Sequence, residues 1–361
     1  MMRPLAETYD AALLDLDGTV YLGGTVIPFV PEALAAARAM GMATMFVTNN
    51  ASRPPAVVAK SLSDMGIQAS DDDVLTSPHV AAEMLAASHP AGARVLVVGA
   101  PYLHEAIAEV GLIPVEEAAD EPVAVVQGHS PDTGWRQLAE ACIALRAGVD
   151  WVACNSDSTL PTDRGLLPGN GAMVAALVAA TGRRPRVAGK PARPLLDSAI
   201  ERAGSKRPLV VGDRLDTDIE AAGVAGLPAL MPLTGVNSAS DLLLAPAHRR
   251  PTHVCLDLRG LTDPARVVAL PDPRSTDAPA PGTEPAGWQV TRDDDLLTLS
   301  STGEANTGDT AVLGALAALL AAAWSRPGAG EPIRVGAADA AAGKALDRLD
   351  ISRADAQATA G

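Results

Sequence analysis

Aromatic residues are scarce in this chain, since two Phe, three Tyr and four Trp make up 2% of its 361 residues. Hydrophobic residues still account for 48% of the sequence, so a core would have to be built from Ala, Val and Leu. Charged residues at 20% are typical of an ordinary globular protein. The length favours two or three domains.

Cysteines and long apolar runs are also few. The three cysteines, Cys142, Cys154 and Cys255, are far apart and form no metal or redox motif, which favours a reduced cytoplasmic setting. The longest apolar run, 311–324, is too short to span a bilayer and predicts a buried helix. Residues 1–7 contain no apolar segment of the signal-peptide kind, so we expect no signal peptide.

Basic residues are outnumbered by acidic ones. The chain has 28 Lys and Arg against 43 Asp and Glu, a formal net charge of −15. This charge disfavours nucleic acids and anionic membrane surfaces as partners. An anionic substrate would be repelled overall, so its site would need local positive charge from a metal ion and a lysine.

The most informative stretch that is present runs from Leu13 to Tyr21. Apolar residues 11–14 predict a buried parallel strand, which ends at Asp15 and Asp17. Ligands of open α/β sheets bind at the carboxyl ends of strands. Two close carboxylates suit a cation, or a nucleophile with a proton-transfer partner, and Gly18 permits a sharp turn. The alternative is an ordinary strand-to-turn junction.

A second polar segment follows the next predicted strand, 43–47. Thr48 and Asn49 offer a hydroxyl and an amide that suit a phosphoryl oxygen. The same residues could instead cap the helix predicted to begin near Pro54.

Two more strand ends carry charges. Lys190 stands between a glycine and a proline at the end of a short predicted strand, an unusual place for a merely solvated charge. Asp213 lies at the end of the apolar strand predicted to begin at Leu209, and it is the better metal candidate in that segment. Asp218 lies five residues further along the chain.

These four signals occur in a fixed order: D-x-D-G-T at Asp15, Thr48 at a strand end, G-K-P at Lys190, and G-D-x-x-x-x-D from Asp213. The ordered set resembles the haloacid dehalogenase superfamily. The phrases L-D-G-T-V-Y, V-T-N-N and C-N-S-D-S-T-L-P-T resemble, more narrowly, its capped phosphatases of the nagD, 4-nitrophenylphosphatase and phosphoglycolate phosphatase subgroup. The resemblance covers roughly residues 8–270.

The expected fold class is α/β. The resemblance implies a Rossmann-like, doubly wound parallel-sheet core with an inserted α/β cap of the C2 type, and the strand and helix pattern predicts a small C-terminal α/β appendage. The predicted boundaries are 1–78 and 186–270 for the core, 79–185 for the cap, 271–285 for a Pro-rich linker and 286–361 for the appendage.

The resemblance also implies roles for the motif residues. Asp15 would be the nucleophile that forms an aspartyl-phosphate, and Asp17 the general acid and base. Mg²⁺ would be held by Asp15, the backbone carbonyl of Asp17 and Asp213, with Asp218 beside them. The phosphoryl oxygens would be bound by Thr48 and Lys190, assisted by Asn49.

A polar segment of the predicted cap, 155–164, follows a strand directly and is expected to be a loop that selects the substrate. Asp157, Thr159 and Leu160 offer a carboxylate, a hydroxyl and an apolar stop for a small leaving group. The alternative is a solvated connection, with the core alone setting specificity.

The function predicted from these features is a Mg²⁺-dependent phosphatase that acts on a small phosphorylated metabolite. The three-part layout resembles actinobacterial glycerol 3-phosphate phosphatases, whose appendage resembles a GCN5-type acetyltransferase fragment, and this implies glycerol 3-phosphate as the substrate. Phosphoglycolate, sugar phosphates and 4-nitrophenyl phosphate are alternative substrates. A phosphotransferase, a non-catalytic binding protein and an acetyltransferase are alternative functions. The subgroup also makes a homodimer possible.

Overall fold

The structure is a computed structural model that describes residues 3–162, 164–271, 287–303, 308–325 and 332–354. Apart from Pro271, the predicted Pro-rich linker lies outside these residues. The chain divides into two compact units, one formed by Met1–Thr44 with Ser205–Gly361 and the other by Met45–Gly204. The core, cap and appendage boundaries at 78/79, 185/186 and 270/271 stay a prediction.

The first unit contains five adjacent strands, in the order Val267–Ala269, His253–Cys255, Ala229–Pro232, Pro208–Val211 and Ala11–Leu14. All neighbours run parallel except the first two, which are antiparallel. The last strand is wholly buried, and its Leu14 pairs with Val211. Both acidic motifs therefore begin at the same edge of this sheet.

Several short elements accompany these strands. Residues Tyr21–Leu22 and Thr25–Val26 form an antiparallel ribbon directly after the first motif. The helical elements are Leu5–Thr8, Val30–Ala39, a π-helical turn at Leu215–Ile219 that continues as Glu220–Ala225, and Ala239–Leu243. The π-helical turn begins two residues after Asp213 and contains both Asp216 and Asp218.

The C-terminal appendage belongs to the same unit. It has strands Trp288–Asp293, Leu296–Ser301 and Arg334–Ala337, and helices Asp309–Trp324 and Ala340–Arg348. The first two strands are antiparallel, and the second and third are parallel. The longer helix buries most of its leucines and packs against helix Ala239–Leu243 and strand Val267–Ala269.

The second unit contains two groups of parallel strands. Ala43–Thr48 pairs with Val74–Thr76. A five-stranded parallel sheet has the order Arg186–Val187, Asp150–Ala153, Ala124–Gln127, Arg94–Val98 and Ile113–Val115. The helices are Pro55–Asp64, Ser77–Ala86, Pro101–Glu109, Trp135–Arg146, Asn170–Thr181 and Pro194–Ala203. The predicted α/β class with parallel sheets is confirmed.

The sequence expectation was wrong for the polar cap loop. Thr159–Thr162 and Gly165–Pro168 form an antiparallel hairpin in which Leu160 pairs with Leu167. The polar and proline residues conceal the strand pattern, since the two strands are short and each contains a proline. The helix after Lys190 begins at Pro194, because a turn from Gly189 to Ala192 comes first.

Across the residues that the structure describes, we find no helix with both the length and the apolar character needed to cross a membrane.

The imidazole of His253 predicts how stability depends on pH. Burial lowers the pKa of His253 from 6.5 to about 4. Its Nδ1 lies 2.9 Å from Oγ1 of Thr252, and its ring packs edge-on against Tyr9. In the unfolded chain, the imidazole of His253 binds a proton once the pH falls below its ordinary pKa of 6.5. In the folded chain, it binds a proton only when the pH approaches about 4. The free energy of unfolding should therefore fall by about 3 kcal/mol as the pH decreases through this window.

Urea unfolding at neutral pH and at about pH 5 would measure about 2 kcal/mol of this decrease, because the rest develops only at lower pH. We expect His253→Gln to lose less stability on acidification than the wild type, whereas the exposed His248→Gln should behave like the wild type. An unchanged pH dependence in His253→Gln would contradict this assignment.

Candidate active site

The first acidic motif begins where strand Ala11–Leu14 ends. The backbone N–H of Asp15 donates to the carbonyl of Val211 at 2.8 Å, which extends the strand pairing by one residue. The Asp15 side chain is half-buried and that of Asp17 is exposed. Gly18 has a φ of +85°, and a methyl group there would lie 2.4 Å from Oδ2 of Asp213. Glycine is required at this turn for both reasons.

Asp15, Asp213 and Asp218 form the acidic cluster. One carboxylate oxygen from each lies within 4.8 Å of the other two. Asp213 is fully buried and accepts hydrogen bonds from Oγ1 of Thr19 at 3.1 Å and from the backbone of Val236 at 2.6 Å. These bonds fix the orientation of the Asp213 carboxylate.

The electrostatics of this cluster favour a bound cation. Burial, and next the negative charge of Asp218, raise the pKa of Asp213 to about 6. A divalent cation would offset both effects, because it attracts the ionised carboxylates. The space beside the Asp213 carboxylate requires glycine at position 235, because a methyl group at Gly235 would lie 2.0 Å from Oδ2 of Asp213. An all-oxygen donor set of this kind fits Mg²⁺.

The loop 233–238 shapes one side of the acidic cluster. Oγ1 of Thr234 donates to the carbonyl of Gly18 at 2.7 Å. Oδ1 of Asn237 accepts from the backbone of Leu215 at 2.8 Å, and Val236 holds Asp213 as described. Sequence reasoning missed this loop; the only available signal was a T-G-V-N turn directly after a strand.

The predicted phosphate-binding residues Thr48, Asn49 and Lys190 lie in the second unit, and Asn49 bonds directly to Lys190. Lys190 is 2% exposed, and its Nζ donates to the carbonyl of Val47 at 2.9 Å. Thr48 is buried, and its Oγ1 accepts from the backbone of Asn50 at 3.1 Å. A buried ammonium group is the local positive charge that the acidic chain requires for an anionic ligand.

Asn49 holds the backbone of Lys190 from both sides. Its Oδ1 accepts from the Lys190 N–H at 2.8 Å, and its Nδ2 donates to the Lys190 carbonyl at 2.9 Å. Nδ2 also lies 3.2 and 3.3 Å from the two carboxylate oxygens of Asp157. Both amide hydrogens therefore have acceptors inside the protein. The side chain of Asn49 positions Lys190 in this structure, a role that sequence reasoning did not anticipate.

The predicted specificity residues are separated in the structure. Asp157 lies at the base of the hairpin, where its carboxylate meets Asn49 and its carbonyl accepts from Gly171 at 2.9 Å. Thr159 and Leu160 lie on the hairpin itself and are exposed. Of the three predicted specificity residues, Thr159 and Leu160 are therefore the exposed ones. Asp163 lies outside the described residues.

Comparison with protein families gives three matches. Residues 12–113 match the haloacid dehalogenase-like hydrolase family, and residues 187–261 match the HAD-hydrolase-like family. Residues 286–351 match the GCN5-related N-acetyltransferase like domain. The first two matches contain the two acidic motifs, and the third corresponds to the appendage.

The chain is 45% identical to D-glycerol 3-phosphate phosphatase of Mycobacterium tuberculosis, over 98% of each chain. The crystal structure of the glycerol phosphate phosphatase of that organism in complex with magnesium has a TM-score of 0.82 at 45% identity, covering 98% of this chain and 100% of that one. The 4-nitrophenylphosphatase of Thermotoga maritima has a TM-score of 0.67 at 31% identity, covering 72% and 98%.

The appendage and the two acidic motifs thus all have counterparts in known families, and the similarity to the mycobacterial phosphatase spans nearly the whole chain. The Rossmann-like fold expected from the sequence is confirmed by the solved structures. The chain belongs to the haloacid dehalogenase-like hydrolase family.

Proposed function

We propose that this protein is a Mg²⁺-dependent phosphatase that hydrolyses glycerol 3-phosphate to glycerol and phosphate. The observation that carries the proposal is the cluster of Asp15, Asp213 and Asp218 at the edge of a parallel sheet. The likeness to the mycobacterial glycerol 3-phosphate phosphatase over nearly the whole chain supports the substrate.

In the first step, a carboxylate oxygen of Asp15 attacks the phosphorus atom of the ester. The bond from phosphorus to the ester oxygen breaks, and the leaving alkoxide takes a proton from Asp17 and departs as glycerol. The exposed position of Asp17 suits this role, because its carboxyl group can exchange a proton with solvent. Asp15 is left as an aspartyl-phosphate.

In the second step, Asp17 removes a proton from a water molecule as that water attacks the phosphorus atom. The bond between phosphorus and Asp15 breaks, which releases inorganic phosphate and restores the Asp15 carboxylate and the protonated Asp17. The residues that would hold Mg²⁺ are Asp15, the backbone carbonyl of Asp17 and Asp213, with Asp218 beside them. When bound, the cation neutralises charge that accumulates on the phosphoryl oxygens.

Lys190 and Thr48 are proposed to bind the phosphoryl oxygens. The Lys190 ammonium is buried and its backbone is held by Asn49, so it would meet the anion with little loss of conformational entropy. We propose that Asn49 assists by holding Lys190.

We further propose a small phosphorylated metabolite as the physiological partner, without nucleic acid or membrane, in the cytoplasm. The net charge of −15 and three free cysteines support this setting. A homodimer stays a prediction.

Phosphate release from a panel of esters, with Mg²⁺ and with EDTA, tests the proposed function. We expect the highest kcat/KM with glycerol 3-phosphate, and lower values with phosphoglycolate, sugar phosphates and 4-nitrophenyl phosphate. A higher kcat/KM with phosphoglycolate or a sugar phosphate would identify that ester as the substrate in place of glycerol 3-phosphate. Equal activity with Mg²⁺ and with EDTA would contradict the Mg²⁺ requirement. Added glycerol or other alcohols distinguish a phosphotransferase, which would form new esters from them.

The hairpin residue Leu160 is expected to influence which substrate is preferred. It is 36% exposed and could form an apolar stop for the glycerol part of the ester. We expect Leu160→Gly to lower the preference for glycerol 3-phosphate over 4-nitrophenyl phosphate by roughly tenfold, since one small apolar contact contributes about that much discrimination.

Leu166→Gly is the matched control, because Leu166 lies in the opposite strand of the hairpin and is 70% exposed. An unaltered substrate ranking in Leu160→Gly would show that the hairpin does not select the substrate. Asp157→Ala is a less suitable test, because it also removes a partner of Asn49.

A further inference from the structure

The last residue of the long appendage helix contacts the short helix Ala239–Leu243. Nε1 of Trp324 donates to the carbonyl of Leu242 at 3.1 Å, and the guanidinium carbon of Arg250 lies 4.8 Å from the centroid of the Trp324 ring. Nε of Arg250 in turn donates to the carbonyl of Ala245 at 3.0 Å. Together, Trp324 and Arg250 hold the C-terminal end of the short helix.

The N-terminal end of the same helix continues directly from loop 233–238. Ser238 caps the helix, because its Oγ accepts from the backbone N–H of Asp241 at 3.2 Å, and its own N–H donates to Oδ2 of Asp241 at 2.8 Å. Two residues earlier, the backbone of Val236 donates to the buried carboxylate of Asp213 at 2.6 Å. One short element thus connects the appendage to the loop that orients Asp213.

A five-residue helix has little stability of its own, so its position depends on what packs against it. We propose that Trp324 is a positioning residue for the divalent cation, acting through helix Ala239–Leu243 on loop 233–238 and thus on Asp213. The inference rests on the proposed function, since it takes the cation at the acidic cluster. It gives the acetyltransferase-like appendage a role in metal binding.

The competing explanation is that Trp324 stabilises the appendage alone. Trp288 is a matched control, because its Nε1 also donates to a backbone carbonyl, that of Ala311, at 2.7 Å. This bond lies wholly within the appendage, and Trp288 is buried, at 4% exposure. Trp288→Phe therefore removes the same kind of hydrogen bond without touching the short helix.

Calorimetric titration of Mg²⁺ into the full chain, without substrate, provides the test. We expect Trp324→Phe to raise the Kd for Mg²⁺ by about 3- to 10-fold, as expected for the loss of one hydrogen bond, and Trp288→Phe to change it by less than about twofold. Hydrogen exchange measured by mass spectrometry should become faster over 233–243 in Trp324→Phe alone.

Equal effects of the two variants, or an unchanged Kd with unchanged exchange in Trp324→Phe, would overturn the inference. If Trp324→Phe fails to fold, Arg250→Gln loosens the same end of the helix and should give the same two results. A wild type that binds Mg²⁺ normally but releases no phosphate would overturn the proposed function instead, so the two failures are distinguishable.

Discussion

Replacing Asp15 by asparagine is expected to reduce kcat for glycerol 3-phosphate by more than about 100-fold, because the attacking carboxylate is lost and covalent catalysis with it. Asparagine is nearly isosteric with aspartate, and the backbone bond from residue 15 to Val211 does not involve the side chain. The fold should therefore survive. Phosphate release at saturating substrate and Mg²⁺, with thermal unfolding of the same sample, measures both expectations.

The matched control is Asp216→Asn, which changes a carboxylate on the second acidic motif that bonds to Arg214 and lies outside the acidic cluster. We expect this variant to keep activity within about threefold of the wild type, since exposed ion pairs contribute little. Retention of more than about one hundredth of the wild-type kcat by a folded Asp15→Asn would exclude Asp15 as the nucleophile.

Replacing Gly235 by alanine is expected to weaken Mg²⁺ binding by at least about tenfold, because the loss of a hydrogen bond to a charged group has an effect of that size. The added methyl group would lie 2.0 Å from Oδ2 of Asp213, so either loop 233–238 or the Asp213 carboxylate must move. Either movement disrupts the bond that Val236 donates to Asp213.

Gly303→Ala is the control for this prediction, since a methyl group there has open space around it. Calorimetric titration of Mg²⁺ into both variants gives the comparison. Normal Mg²⁺ affinity in a folded Gly235→Ala would show that the carboxylate of Asp213 is not a ligand, and the metal assignment would have to be changed.

The sequence was sufficient to predict that both acidic motifs follow short apolar strands. The structure adds that these two strands pair in parallel, which places Asp15 and Asp213 at one sheet edge. The buried helix predicted from the apolar run 311–324 is observed as Asp309–Trp324, because its apolar pattern is uninterrupted.

The contacts that orient these groups could not be predicted in this way. Asn49 and Lys190 are 141 residues apart in the chain, and Val236 and Asp213 are 23 apart. No periodic pattern links such pairs, because each bond depends on how loops pack after the strands have assembled. The hairpin at Thr159–Thr162 was missed for another reason, since turn-forming residues conceal its short strands.

The acidic and the basic groups of the candidate site belong to different parts of the chain. The acidic cluster and the buried Lys190 lie in different compact units, and each is held by its own hydrogen bonds. Each group can therefore be tested separately. Metal titration without substrate reports on the carboxylates, and inhibition by inorganic phosphate reports on Lys190.

The central claim is that glycerol 3-phosphate is hydrolysed through a phosphate ester on Asp15. Rapid quenching during turnover with glycerol 3-phosphate and Mg²⁺, followed by borohydride reduction, would convert an aspartyl-phosphate to homoserine, which peptide mass spectrometry locates. We predict homoserine at position 15, and none when Mg²⁺ is omitted. Phosphate release without homoserine at position 15, or with homoserine at a different aspartate, would contradict the account.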